Sequence, residues 1–286
     1  MNSFRSLFRY LIDSNIFVAV AAVALTLETL VMQGLPMNAI PLLCLIFFST
    51  LFIYTVSRLQ LLPQRSFAAS LKNFPGKVMS CLSLGAILIA VSKVSHSVLF
   101  LIAPIALLSV GYALPLFRSR TQSFTLREVP MLKIFIISLV WGITTVCIPL
   151  LDKGASVFNM DVLLILLRRM LYIFAITVPF DIRDEVEDAK NRLKTLPGTF
   201  GVRGSKIIAA AALLLFIILL FVNNCPTKQS ILAAYIVPLM FSSFVAGVFI
   251  YKTTPSRSKY YYLFFLDGTM ILQFLLVYFW RFGIIR

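Results

Sequence analysis

Apolar stretches long enough to cross a lipid bilayer recur along almost the whole chain. Runs of about 18 or more apolar residues with few charges read as spanning helices. Such runs lie near 16–34, 38–57, 77–94, 97–117, 132–151, 161–181, 206–223, 229–251 and 260–282. This spacing predicts an all-α integral membrane bundle of about nine transmembrane helices, with a cap of loops at one face. Only 13% of the 286 residues are charged, about half the share in an ordinary soluble domain. That is too little charge to cover a soluble surface. The chain reads as one domain over 1–286, and residues 1–15, basic and half apolar, read as an interfacial lead-in to the first span.

The connections alternate in character. Segments 35–37, 95–96, 152–160 and 224–228 are short and nearly uncharged, whereas 58–76, 118–131 and 182–205 are long and charge-rich. With the N-terminus inside, most of the 26 Lys and Arg fall on the inner face, as the positive-inside bias requires. The net charge of +15 is largely that bias. It is spread over loops and gives no single basic face of the kind that holds nucleic acid. A cytoplasmic cap in a bacterial inner membrane is the expected setting, and the oligomeric state is open. The four cysteines, Cys44, Cys81, Cys147 and Cys225, form no CxxC pair, and His96 is the lone histidine. Zinc frameworks and Ser-His-Asp chemistry therefore have no foundation here.

Acidic residues are scarce, and five of the 11 crowd into Asp181, Asp184, Glu185, Glu187 and Asp188, at the inner end of the sixth span. On a continuing helix Asp181, Asp184 and Asp188 share one face at i, i+3 and i+7. Like charges so placed repel, and a divalent cation relieves the repulsion. Magnesium suits one or two carboxylates plus phosphate oxygens. The plainer alternative is a solvated acidic turn at the membrane edge. Arg183, Lys190, Arg192, Lys194, Arg203 and Lys206 surround the acids and either grip an anionic headgroup or merely set topology. Residues 194–206, KTLPGTFGVRGSK, read as a turn-rich re-entry into the seventh span.

The stretch Asp181-Ile-Arg-Asp184-Glu-Val-Glu-Asp188, followed by Lys194-Thr195-Leu-Pro197 and Gly201, resembles the second aspartate-rich motif of the UbiA family of membrane prenyltransferases. Weaker similarity lies at Tyr112-Ala-Leu-Pro115 and at Leu126 to Gly142. The resemblance implies a nine-helix fold. It implies magnesium-dependent transfer of an isoprenyl group from a prenyl diphosphate to an aromatic or other lipophilic acceptor. Asp184 and Asp188 would then be the catalytic metal-binding pair, with Asp181 as an extra carboxylate on the metal. Arg58, Arg65, Tyr112, Lys133, Arg183 and Lys194 would meet the diphosphate. The first aspartate-rich motif should follow the second span, where this chain reads Tyr54-Thr55-Val-Ser57-Arg58, and no Asp or Glu occurs between Glu28 and Glu128. Two other functions stay open: a catalytically inactive relative that binds prenyl or quinone lipids, and a membrane transporter.

Arg168 and Arg169 lie within the sixth span, and Glu28 and Asp267 are the acids within the first and last. Central arginines cost about 2.5–3.5 kcal/mol each to insert, so one or both acids are expected to pair with them and lock helices together.

Overall fold

The computed structural model describes residues 2–60, 74–113, 117–118, 123–124, 126, 129, 131–190, 193–222 and 235–283. An amphipathic helix, α1 (Asn2–Asp13), precedes α2 (Ile16–Met32), α3 (Ile40–Gln60), α4 (Phe74–Val91) and α5 (His96–Ala113). Then come α6 (Leu132–Asp152), α7 (Met160–Lys190), α8 (Leu196–Leu220), α9 (Ile236–Tyr251) and α10 (Tyr261–Arg281). The strands β1 (Phe117–Arg118) and β2 (Ser123–Phe124) pair antiparallel, Phe117 opposite Phe124, in the connection between α5 and α6. Among the described residues seven helices are long and apolar enough to cross a membrane; α2 and α9 are apolar but shorter. Large exposed apolar side chains such as Leu82, Leu88, Ile89, Phe100 and Leu107 cover α4 and α5. Only hydrocarbon solvates such a surface, so the chain is an integral membrane protein.

The α2 helix lies at the heart of the bundle and packs on α3, α6 and α10. Its Ala19, Ala21, Ala22, Leu25, Thr26, Thr29 and Leu30 are buried almost completely. Small residues let neighbouring backbones come close where lipid gives no hydrophobic drive between helices. From α6 the chain runs through α7, α8, α9 and α10 as successive packed neighbours, and α10 returns to α2. At Gly142 an added Cβ would come within 2.8 Å of Met170 Cγ and 2.9 Å of Leu166 Cδ1, so the absent side chain sets the approach of α6 to α7. Just beyond, Ile143–Cys147 forms a π-turn, and a second π-turn spans Tyr261–Leu266 at the start of α10.

Arg169 pairs with Glu28 across α7 and α2, Nη2 lying 3.1 Å from Oε1. The same guanidinium donates to the Thr29 hydroxyl and the Leu25 carbonyl. Thr29 in turn donates to the Thr145 carbonyl in the first π-turn. One buried network thus joins three helices. Asp267 pairs with neither arginine; Arg183 is the cation whose charge acts on it. Arg168 is buried and donates its Nε–H to the Leu164 carbonyl of its own helix. The α7 helix continues nine residues beyond the expected end at 181, and α8 begins at Leu196 where a turn over 194–206 was expected. The expected start of the eighth span, 229–234, lies outside the described residues.

Asp13, at the end of α1, ties three parts of one bundle end together. Lys259 Nζ lies 2.6 Å from its Oδ1 and the Tyr260 hydroxyl donates to its Oδ2. Arg58 of α3 lies 3.8 Å away and donates to the Asp13 carbonyl. Burial pushes the Asp13 carboxyl up, but the bonds from Lys259 and Tyr260 and the charges of Lys259 and Arg58 outweigh it, leaving the group below its ordinary value. A depressed carboxyl contributes stability above its unfolded value and loses it as pH falls through the folded one. Amide exchange in residues 2–13, corrected for intrinsic rates, is therefore expected to accelerate only on acidification through that lowered value. Asp13→Asn should give the fast exchange at neutral pH. In the core, Arg169→Gln is expected to lower thermal stability in detergent strongly, on the scale of about 3–5 kcal/mol for a broken buried pair. Adding Glu28→Gln should recover part of the loss.

Candidate diphosphate-binding site

The acids of the motif sit at the end of α7. A 31-residue helix is about 46 Å long at 1.5 Å per residue, against a hydrocarbon core of about 30 Å. Its last turns therefore stand at or beyond the lipid boundary. Pro179, two residues before Asp181, has no N–H for the Ala175 carbonyl, a local weakening of the ladder.

Asp181 and Asp188, seven residues apart, are on one face of α7 and are 2% and 5% exposed. Between them lies the ammonium of Lys133 from the first turn of α6, 2.7 Å from Asp181 Oδ1 and 3.6 Å from Asp188 Oδ2. Lys133 itself is only 8% exposed. This cation holds together the carboxylates whose repulsion the sequence pattern raised, and α7 can stay helical through them. Asp184 turns to one side, where Arg183 Nε lies 2.7 Å from its Oδ1 and Nη2 donates to Oδ2 at 3.1 Å. The same guanidinium lies over the rings of Phe180 and Tyr262, 5.2 Å and 5.4 Å from their centroids. Arg183 is thus held in place by a carboxylate and two aromatic faces. Glu185 is half-buried and Glu187 exposed.

A small cleft borders Lys133, Asp181 and Asp188, lined also by Val129, Met131, Ile134 and the run from Leu193 to Leu196. Two backbone bonds build its rim: Leu193 N–H donates to the Asp188 carbonyl, and Met131 N–H to the Lys194 carbonyl. Thr195 caps α8 by accepting from Gly198 N–H, with Pro197 in the first turn, a pairing of residue types suited to a helix start. At Gly201 the backbone takes φ 68° and ψ 172°, a region essentially restricted to glycine. This kink separates the rim segment from the transmembrane part of α8. The residues read as turn-forming thus build a helix with a break in it.

The other expected diphosphate contacts are divided. Lys194 is exposed at the cleft rim. Tyr112, half-buried at the end of α5, acts electrostatically on Lys133 and on Tyr54. Arg58 is engaged with Asp13 at the end of α1. Arg65 lies outside the described residues. Thr55, near where the first motif's carboxylates would stand, is buried and accepts a hydrogen bond from Asn15 Nδ2 at 3.4 Å. Three residues beyond the expected set join the same end of the bundle: Tyr54, bonded to Trp141, and Asp267, whose charge acts on both Tyr54 and Arg183. The capping role of Thr195 was hidden by the reading of 194–206 as a turn; no local pattern marked Trp141, and Tyr54 stood out only as part of the stretch after the second span.

Several solved structures share this architecture at low sequence identity. A UbiA homologue from Archaeoglobus fulgidus bound to GPP and Mg2+ superposes with a TM-score of 0.64 at 13% identity, covering 97% of this chain and 98% of that one. A UbiA homologue from Aeropyrum pernix K1 gives 0.59 at 12% identity, covering 93% and 96%. A digeranylgeranylglyceryl phosphate synthase gives 0.57 at 16% identity, covering 99% and 100%. The chain has the UbiA fold. No family profile matches the sequence, and no curated protein matches it either. Within the UbiA fold, Asp181 and Asp188 address one point from two turns of α7, and that point can serve a single divalent ion if Lys133 gives way. Among the described residues no three Asp, Glu, His or Cys side chains gather into a metal cluster.

Gly201→Ala is expected to cost about 1–3 kcal/mol from backbone strain and to displace the rim residues Lys194 and Thr195. Thermal unfolding would register the loss. Gly85→Ala, inside α4 where the added methyl meets nothing within 4 Å, should cost nothing and raise stability slightly in the same measurement.

Proposed function

We propose that this chain is a prenyltransferase that moves an isoprenyl group from a prenyl diphosphate to an aromatic or other lipophilic acceptor, with magnesium as cofactor. The observation that carries the reading is the convergence of Asp181, Asp188 and Lys133 in a cleft at one end of the UbiA fold. The GPP and Mg2+ held by the Archaeoglobus homologue support it. The inner, cytoplasmic face is the proposed location of that end, in keeping with the positive-inside bias.

In this reading Asp181 and Asp188 hold the metal, with Asp184 beside them as the remaining carboxylate of the motif. Magnesium, when bound, neutralises charge on the departing diphosphate. Lys133 and Lys194 supply cationic donors to phosphate oxygens, with the Tyr112 hydroxyl near Lys133. Arg183, fixed by Asp184 and the faces of Phe180 and Tyr262, presents a charged edge without having to order itself on binding. The bond from the allylic carbon to the diphosphate oxygen breaks, the acceptor forms a new bond to that carbon, and the acceptor loses a proton. The apolar bundle keeps water from capturing the allylic group.

A second reading, a relative that binds prenyl diphosphates or prenyl lipids without transfer, is favoured by one observation. Where the first motif's carboxylates would stand, Thr55 is buried and spoken for by Asn15. Purified protein assayed with Mg2+, a panel of prenyl diphosphates and aromatic acceptors separates the two. Turnover supports transfer, binding without turnover supports the second reading, and failure of every prenyl diphosphate to bind contradicts both. Asp188→Asn is expected to weaken Mg2+-dependent binding of geranyl diphosphate roughly tenfold or more, the scale of one lost charge-assisted contact of about 1.5–3 kcal/mol.

A further inference from the structure

Lys133 occupies the place that a metal between Asp181 and Asp188 would need. Its ammonium lies between Asp181 Oδ1 at 2.7 Å and Asp188 Oδ2 at 3.6 Å, and the three side chains are almost wholly enclosed. Among the described residues no other cation forms an ion pair with either carboxylate. Magnesium binds oxygen at about 2.0–2.1 Å and sheds its water reluctantly. It cannot share this space with an ammonium, and it is repelled by one close by. The hydrated free ion must therefore displace a lysine already ion-paired with two carboxylates.

We propose that Lys133 is an internal substitute for the metal, which makes metal binding conditional on the diphosphate. The inference rests on the diphosphate reading above and adds an order to it. Phosphate oxygens arriving in the cleft offer the ammonium new acceptors. The flexible four-carbon stem of lysine lets it pass from the carboxylates to them. Asp181 and Asp188 are then released to the dication that arrives with the phosphate. Charge argues the same way: with Lys133 between them the two carboxylates are already half neutralised against free metal, whereas the ammonium is the one group of the trio that an anionic diphosphate attracts. Lys133 is a positioning residue in this role, acting on the metal through the carboxylates. Because linkage is reciprocal, the diphosphate must tighten the metal by the same factor as the metal tightens the diphosphate.

The test uses the full-length chain in detergent, with Mn2+ as an electron paramagnetic probe and geranyl diphosphate as ligand. Mn2+–diphosphate association measured without protein is subtracted. Wild type is expected to bind Mn2+ weakly alone and about tenfold or more tightly with geranyl diphosphate, within the usual range of coupling. Lys133→Gln should bind Mn2+ alone about tenfold tighter than wild type, and the coupling should shrink severalfold. Lys133→Arg, which keeps the charge, should retain weak binding of free Mn2+. The proposal is overturned if wild type binds geranyl diphosphate while its Mn2+ affinity stays the same with and without it, a measurement that needs no variant. It is equally overturned if folded Lys133→Gln binds free Mn2+ no better than wild type. Absence of any geranyl diphosphate binding to wild type would overturn the functional reading, and the coupling with it.

Discussion

A single ammonium at the edge of the lipid, from Lys133 in the first turn of α6, makes the end of α7 possible. Asp181 and Asp188 are buried beside apolar helices, where an unpaired carboxylate is very costly. Held by one cation, they sit on a helix that runs on through Pro179 to Lys190. The rim follows from that continuation. Because α7 reaches Asp188, its carbonyl can tie Leu193, and Lys194 can tie Met131 at the start of α6. The cleft is thus a product of one ion bridge and two backbone bonds.

The two charged networks of the core differ in kind. Around Arg169 the guanidinium is shared among Glu28, Thr29 and the Leu25 carbonyl, and the network joins α2, α6 and α7 in the bundle interior. A buried pair this well supplied with partners is difficult to dissolve and is suited to holding helices in register. Lys133 has two carboxylates, one of them at a looser distance, and an opening beside it. Its bonds can be exchanged for others of the same chemistry. The first network is therefore scaffold, and the second is the part able to respond to a ligand.

Much of this was legible in the sequence because lipid imposes a simple length rule. The spans and the paucity of loop charge on one face follow directly from it. The acidic run stood out because acids are rare elsewhere, and Glu28 with Arg169 because intramembrane charges need partners. The site's interior was less legible. Lys133 was visible as a diphosphate contact, but its position between two carboxylates depends on how α6 packs on α7 through Gly142, which no local pattern encodes. Gly198, Gly201 and Pro197 suggested a turn; their actual roles are a proline in the first turn of a helix and a glycine at its break. Arg58 looked available for phosphate until α1 brought Asp13 to it.

The account stands or falls on whether Asp181, Lys133 and Asp188 form the place where metal and diphosphate meet. An experimental structure of the protein with Mn2+ and geranyl diphosphate, phased to show the anomalous scattering of manganese, tests this most directly. The peak is expected between the carboxylates of Asp181 and Asp188, with the Lys133 ammonium moved onto a phosphate oxygen. A peak elsewhere in the bundle, with Lys133 still seated between the two aspartates, would contradict it.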